Sequence, residues 1–171
     1  MSDSQAWTHQ LFSFPNPVNE VSARTVAAGV VVLSVATIVF DQPFLLVLLA
    51  YGFVARVLTG PTLSPWGQIV TRVIVPRLPF EPRYVPAPPK RFAQGIGATL
   101  SGAGVIAYFG FGSWAAAVVF VAMIAAAATL ESAFGYCLGC KLFAVLMRVG
   151  VIPESVCEAC QDLSLAEPRA A

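Results

Sequence analysis

Long apolar runs, broken only by short polar or proline-bearing segments, dominate the chain and predict four membrane-spanning helices. The first covers about residues 22–40, with Arg24 as its only charge, placed near the end where it can snorkel to the interface. Asp41-Gln42-Pro43 interrupts, and Pro43 suits the first turn of a second helix over 43–58 that Arg56 closes. At 1.5 Å per residue that span is only about 24 Å long, so it sits in a thinned bilayer or extends to Gly60. The third span covers about 92–109, after Lys90 and Arg91, and the fourth about 114–136. The links Asp41-Gln42 and Gly110-Phe111-Gly112-Ser113 are so short that each pair of spans must form an antiparallel hairpin.

Between the hairpins the period changes. Ser64-Pro65 reads as an N-cap followed by a first-turn proline. Leu63, Trp66, Val70, Val73 and Ile74 then recur at helical spacing, which predicts an interfacial amphipathic helix near 64–75 with Trp66 at headgroup depth. Pro76 and Pro79 end it, and the prolines over 82–89 predict a stiff extended spacer. In the second hairpin, Gly97 with Ser101 and Ala98 with Gly102 form small-xxx-small pairs facing the alanines of the fourth span. The two halves look like a weak parallel repeat, leaving the membrane through Leu63-Ser64-Pro65-Trp66-Gly67 and Tyr136-Cys137-Leu138-Gly139-Cys140.

The fold class predicted is therefore all-α: a polytopic membrane helix bundle of two tight transmembrane hairpins, an interfacial helix and a Cys-rich C-terminal tail. The divisions fall at 1–21 (N-terminal segment), 22–60 (first hairpin), 61–90 (interfacial helix and linker), 91–136 (second hairpin) and 137–171 (tail). Arg56, Arg72, Arg77, Arg83, Lys90 and Arg91 lie at or between the hairpins, Lys141 and Arg148 follow the last span, and neither hairpin tip carries Lys or Arg. The positive-inside rule then gives a multi-pass cell-membrane protein with a cytoplasmic middle segment and cytoplasmic termini.

Composition agrees with that reading. Hydrophobic residues make up 57% and charged residues 11% of the 171, against roughly 25% charged in soluble domains. The lipid bilayer is the expected partner. A net charge of +1 without any basic stripe argues against nucleic acid. Residues 1–20 lack the basic start and short apolar core of a cleavable signal peptide, so the first span is expected to stay as a signal-anchor. No phosphate loop, carboxylate pair or nucleophile–base pair emerges, and the single histidine, His9, sits in a polar tail beside Trp7.

Chemistry concentrates in the tail. The four cysteines, Cys137, Cys140, Cys157 and Cys160, form C-x2-C-x16-C-x2-C, within the window of a four-thiolate zinc site. Gly150 as a C-cap and Pro153 beyond it end a short helix over 141–149, and the return leg is long enough to bring the second pair back to the first. Three readings are open: a structural zinc site clamping the tail, one or two C-x-x-C pairs cycling between dithiol and disulfide, or four cysteines without a shared role. Exposure to the cytoplasm argues against permanent disulfides. In the redox reading Cys140 resolves the mixed species. Glu131, the one acid inside a span, is expected to pair with Arg56, with proton handling or thiol tuning as alternatives.

Arg91-Phe92-Ala93-Gln94-Gly95-Ile96-Gly97, followed by Ala133-Phe134-Gly135-Tyr136-Cys137-Leu138-Gly139-Cys140, resembles a bacterial integral-membrane family catalogued as a domain of unknown function. The resemblance covers about residues 15–150, including Ser64-Pro65-Trp66-Gly67. It implies a small four-span membrane protein whose relatives often occur beside, or fused to, thioredoxin-like or sulfurtransferase proteins. It also carries over Cys137 and Cys140, and its associations favour thiol or sulfur chemistry.

Overall fold

A backbone in hydrocarbon satisfies its own N–H and C=O groups most simply as a helix, and each apolar run has become one. In the computed structural model, which describes residues 16–153 together with Val156 and Cys157, α1 spans Glu20–Val39 and α2 spans Pro43–Thr59. A short α3 (Pro65–Ile69) continues through a wide π turn at Val70–Ile74 and a tight turn at Val75–Arg77. Helix α4 (Ala87–Val105) runs on through a second π turn, Ile106–Gly110, and α5 covers Trp114–Phe134. Helix α6, Leu138–Arg148, lies at the end of the bundle. The all-α reading is correct, apart from a two-residue antiparallel pairing of β1 (Val18–Asn19) with β2 (Tyr84–Val85).

Three of these helices, α1, the α4 run to Gly110, and α5, are long and apolar enough to cross a membrane; α2 is apolar but shorter. Their outer faces expose side chains no soluble surface would carry together, including Val32, Phe44, Ile106, Phe111 and Phe134. That surface marks a membrane protein.

Helix α4 starts earlier than the sequence suggests. Its first turn takes in Ala87, Pro88, Pro89 and Lys90, which the sequence reading assigns to a spacer. Proline is tolerated there because the first N–H groups of a helix have no internal acceptor. Packing also departs from the hairpin-first expectation. Helix α1 packs chiefly on α5 and α2 on α4, while α4 also meets α5 and α6. The four long helices therefore close a ring around Val30, Leu46, Leu49, Phe53, Ala117, Val121 and Ile124. Gly97 faces α2: a Cβ there would lie 2.7 Å from Phe53 Cζ. At the far end the hairpins are tied together by the Trp114 indole, which donates to Asp41 Oδ1 at 2.8 Å.

The interfacial helix is docked onto the bundle as well. Ser64 caps α3 by accepting from Gly67 N at 3.3 Å, as its sequence signals. Trp66 lies against α1 over Gly29, its indole N–H donating to Val26 O at 3.3 Å. Only a glycine leaves room for the ring at that point.

Candidate functional site

The cysteine pair stands where α5 ends and α6 begins. Gly135, with φ of 67°, turns the chain out of α5, and the N–H groups of Gly135 and Tyr136 close on Glu131 O and Leu130 O. This is the left-handed helix ending that glycine favours. Cys137 then becomes the N-cap of α6 in extended conformation, and its Sγ accepts from Cys140 N at 3.3 Å. A thiol thus occupies the place usually filled by Ser, Thr or Asp, where orphan N–H groups and the positive end of the helix dipole favour an anion.

The sulfurs of Cys137 and Cys140 are paired as a disulfide with Cα atoms 5.2 Å apart. Cys137 is buried and Cys140 is half-buried, so Cys140 is the more accessible residue of the pair. Cys157 is buried and disulfide-bonded. Cys160 and His9 lie outside the described residues. No group of three or more His, Cys, Asp or Glu side chains is gathered closely enough to hold a metal ion among the described residues.

The platform under the pair combines part-buried polar contacts with apolar packing. The Arg24 guanidinium donates to Ser132 O and Ala133 O at 3.0–3.3 Å and caps the last carbonyls of α5. Gly139, one residue before Cys140, lies on Ala93, and Phe143 meets the Phe92 ring at 5.6 Å between centroids. These contacts fix α6 across the start of α4. The Lys141 ammonium sits 5.7 Å from the Tyr136 ring centroid, and Tyr136 is exposed.

Glu131 does not pair with Arg56. Its Oε1 accepts from Lys90 Nζ at 2.6 Å, and both side chains are more than four-fifths buried. The physical reason is ring order: Arg56 belongs to α2, whose main neighbour is α4, whereas Glu131 on α5 reaches Lys90 on α4. Arg56 turns to neutral groups, donating from Nε to Gln94 Oε1 at 3.0 Å and from Nη1 to Ser64 Oγ at 3.4 Å, with the Phe53 ring 4.8 Å away. Sequence reasoning missed Lys90 because the helix was started two residues too late to include it.

The two membrane exits share one construction. Gly60 and Gly135 both have positive φ, Ser64 and Cys137 both cap a following helix by accepting from the N–H three residues on, and Gly67 and Gly139 are both buried against a neighbouring segment. Sulfur takes the place of the capping hydroxyl at the second exit, where Gly135 in the left-handed region stands two residues before the cap, against four for Gly60 at the first.

The family described as domain of unknown function DUF4395 matches residues 18–148. The chain belongs to this family. The matched region takes in the four-helix ring and the Cys137–Cys140 pair, and stops before Cys157 and Cys160. No curated protein and no solved structure matches the chain.

Proposed function

We propose that this DUF4395 protein carries a thiol–disulfide exchange site on the cytoplasmic rim of a membrane scaffold, with Cys137 and Cys140 as the reacting pair. The observation that carries the reading is a disulfide seated at a helix N-terminus between one buried and one half-buried cysteine. Basic residues clustered on that side favour a cytoplasmic location, and cytoplasmic disulfides are usually transient and chemical, not structural. The partner is a soluble protein dithiol of the thioredoxin-like kind, or a sulfurtransferase persulfide acting on the reduced pair, where the Cys140 thiolate takes the sulfane sulfur as the sulfurtransferase thiolate leaves and the Cys137 thiolate then expels it as hydrosulfide, forming the disulfide.

The exchange balances as follows. A partner thiolate attacks Cys140 Sγ, the Cys137–Cys140 bond breaks, and Cys137 leaves as a thiolate held by Cys140 N–H and the helix dipole. The partner's second thiolate then attacks its own sulfur in the mixed disulfide, and Cys140 leaves. Two electrons pass from partner to pair, the two protons lost by the partner reach the new thiols through solvent, and the reverse sequence oxidises the pair. A low-pKa leaving thiol speeds the first step, which suits Cys137. Exposure thus gives Cys140 the attacking and Cys137 the resolving role, the reverse of the sequence reading.

Accordingly, Cys137→Ser is expected to trap a mixed disulfide when its Cys140 thiolate attacks the oxidised, disulfide form of the partner and one partner sulfur leaves as thiolate, visible as a reductant-sensitive adduct, at least about tenfold more than Cys140→Ser does. Equal trapping by both, or none, sinks the assignment.

A second reading, a zinc ion clamping the reduced tail through Cys137, Cys140, Cys157 and Cys160, is favoured by their spacing and by the return of the chain, since Val156 lines the same 480 Å³ cavity as Phe92 and Phe143. It expects one equivalent of zinc in protein purified under reducing conditions, lost on Cys157→Ser, with no adduct trapped by either variant.

A further inference from the structure

Arg56 is 7% exposed, yet its Nη2 has no hydrogen-bond partner within the protein. A buried guanidinium ordinarily finds an anion, because burial of an uncompensated charge costs far more than the neutral contacts to Gln94 and Ser64 return. Lys90 supplies none, and Glu131 is already engaged by it. The local sum of Arg56, Lys90 and Glu131 is one net positive charge.

Two cavities meet at this side chain. One, about 320 Å³, is lined by Arg56, Lys90, Gln94, Asn19, Ser22 and Thr71 among others, with no carboxylate among its described lining residues. It lies at the N-terminal end of α1, on the side where the basic residues collect. The other, about 630 Å³, runs between α1 and α2 from Arg56 and Trp66 toward Leu33 and Leu48, and is almost wholly apolar. Val32, 70% exposed, lines it, so the groove opens sideways onto the lipid-facing surface. Both volumes fall in the roughly 300–1,000 Å³ range of small-molecule sites.

We propose that Arg56 anchors a binding site for an anionic lipid, the headgroup at the Arg56–Lys90 end of the smaller cavity and one acyl chain in the larger apolar groove. Charge complementarity selects the headgroup, since Arg56, Lys90 and Gln94 offer donors there without a competing acid among the described lining residues. Depth selects a lipid over a soluble anion: cationic end outward and apolar groove inward is the orientation of a lipid in the leaflet on the basic side. This site is separate from the cysteine pair and does not rest on the exchange chemistry.

The test is thermal unfolding of the full chain in a neutral detergent, titrated with phosphatidylglycerol, phosphatidylcholine or millimolar inorganic phosphate. Phosphatidylglycerol is expected to raise the midpoint by about 5 °C or more near saturation, with phosphatidylcholine and phosphate giving little. Arg56→Gln should abolish the difference between the two lipids. Val32→Trp, on an exposed position that tolerates bulk, should fill the groove and weaken the lipid effect while Arg56 stays intact. Native mass spectrometry of the Val32→Trp protein should show the loss of a bound lipid, and it gives a readout if Arg56→Gln fails to fold. Equal shifts with both lipids, a phosphate shift as large as the lipid's, or an unchanged lipid response in Val32→Trp would each overturn the proposal.

Discussion

Replacing Lys90 by methionine is expected to lower the unfolding free energy by about 3–5 kcal/mol, because Glu131 is left as an unpaired charge in a largely buried site. Glu131→Leu should cost a similar amount by stranding Lys90. The double variant Lys90→Met/Glu131→Leu should recover most of the loss, since two apolar side chains of similar size fill the space without charge. Denaturant or thermal unfolding in detergent of the wild type, both single variants and the double variant measures the coupling directly. Additive single losses would mean that the pair does not act as a unit. The effect should reach the cysteines too. The ion pair binds the first turn of α4 to the last turns of α5, and Arg24 holds the carbonyls immediately after. Loosening that corner should speed reduction of the Cys137–Cys140 disulfide in either single variant, and much less in the double one.

That corner also shows how far a single sequence can be read. Apolar run length located all four long helices to within a few residues, because a helix is the simplest way to satisfy so long an apolar backbone. The caps were legible where chemistry is local, at Ser64 before Pro65 and at Gly150 with positive φ, whereas the fourth span was expected to run on through Gly135, which ends it. The start of α4 was not, since a Pro-Ala-Pro-Pro run suits an extended spacer and a helical first turn equally well. Partners of the buried charges were less legible still. Whether Glu131 meets Arg56 or Lys90 depends on the order of helices round the ring and on their axial register, and neither is written in hydropathy. Small residues were visible as close-packing positions, but not the helix each faces: Gly97, expected to face the alanines of the fourth span, admits Phe53 of α2 instead, and Gly29, which the sequence did not single out, admits Trp66 from the docked α3. For the site, the spacing announced paired cysteines. It was silent on Cys137 acting as a helix cap and on which cysteine is the more exposed, since both follow from the turn at Gly135.

Gly139 is the position where this geometry is most easily broken without touching a cysteine. A Cβ there would lie 2.6 Å from Ala93 Cα and would meet the Ala93 methyl as well. Neither can swing aside, because one is backbone and the other is fixed to it. Relief requires α6 to lift from α4, which would also part Phe143 from Phe92. Overpacking of this kind costs about 1–3 kcal/mol, and the branched side chain of Gly139→Val should exceed Gly139→Ala. Gly95 provides the control on the neighbouring helix, since a Cβ there meets no atom within 4 Å. Gly95→Ala should be neutral or stabilising by up to about 1 kcal/mol, through helix propensity and a less flexible unfolded chain. Unfolding midpoints of the three variants are the first measurement. The second is the rate at which dithiothreitol reduces the Cys137–Cys140 disulfide, expected to change severalfold for both Gly139 variants and to stay at the wild-type value for Gly95→Ala. If Gly139→Ala proves as stable as Gly95→Ala, α6 is not held against Ala93, and the cap at Cys137 has lost the support that sets its exposure.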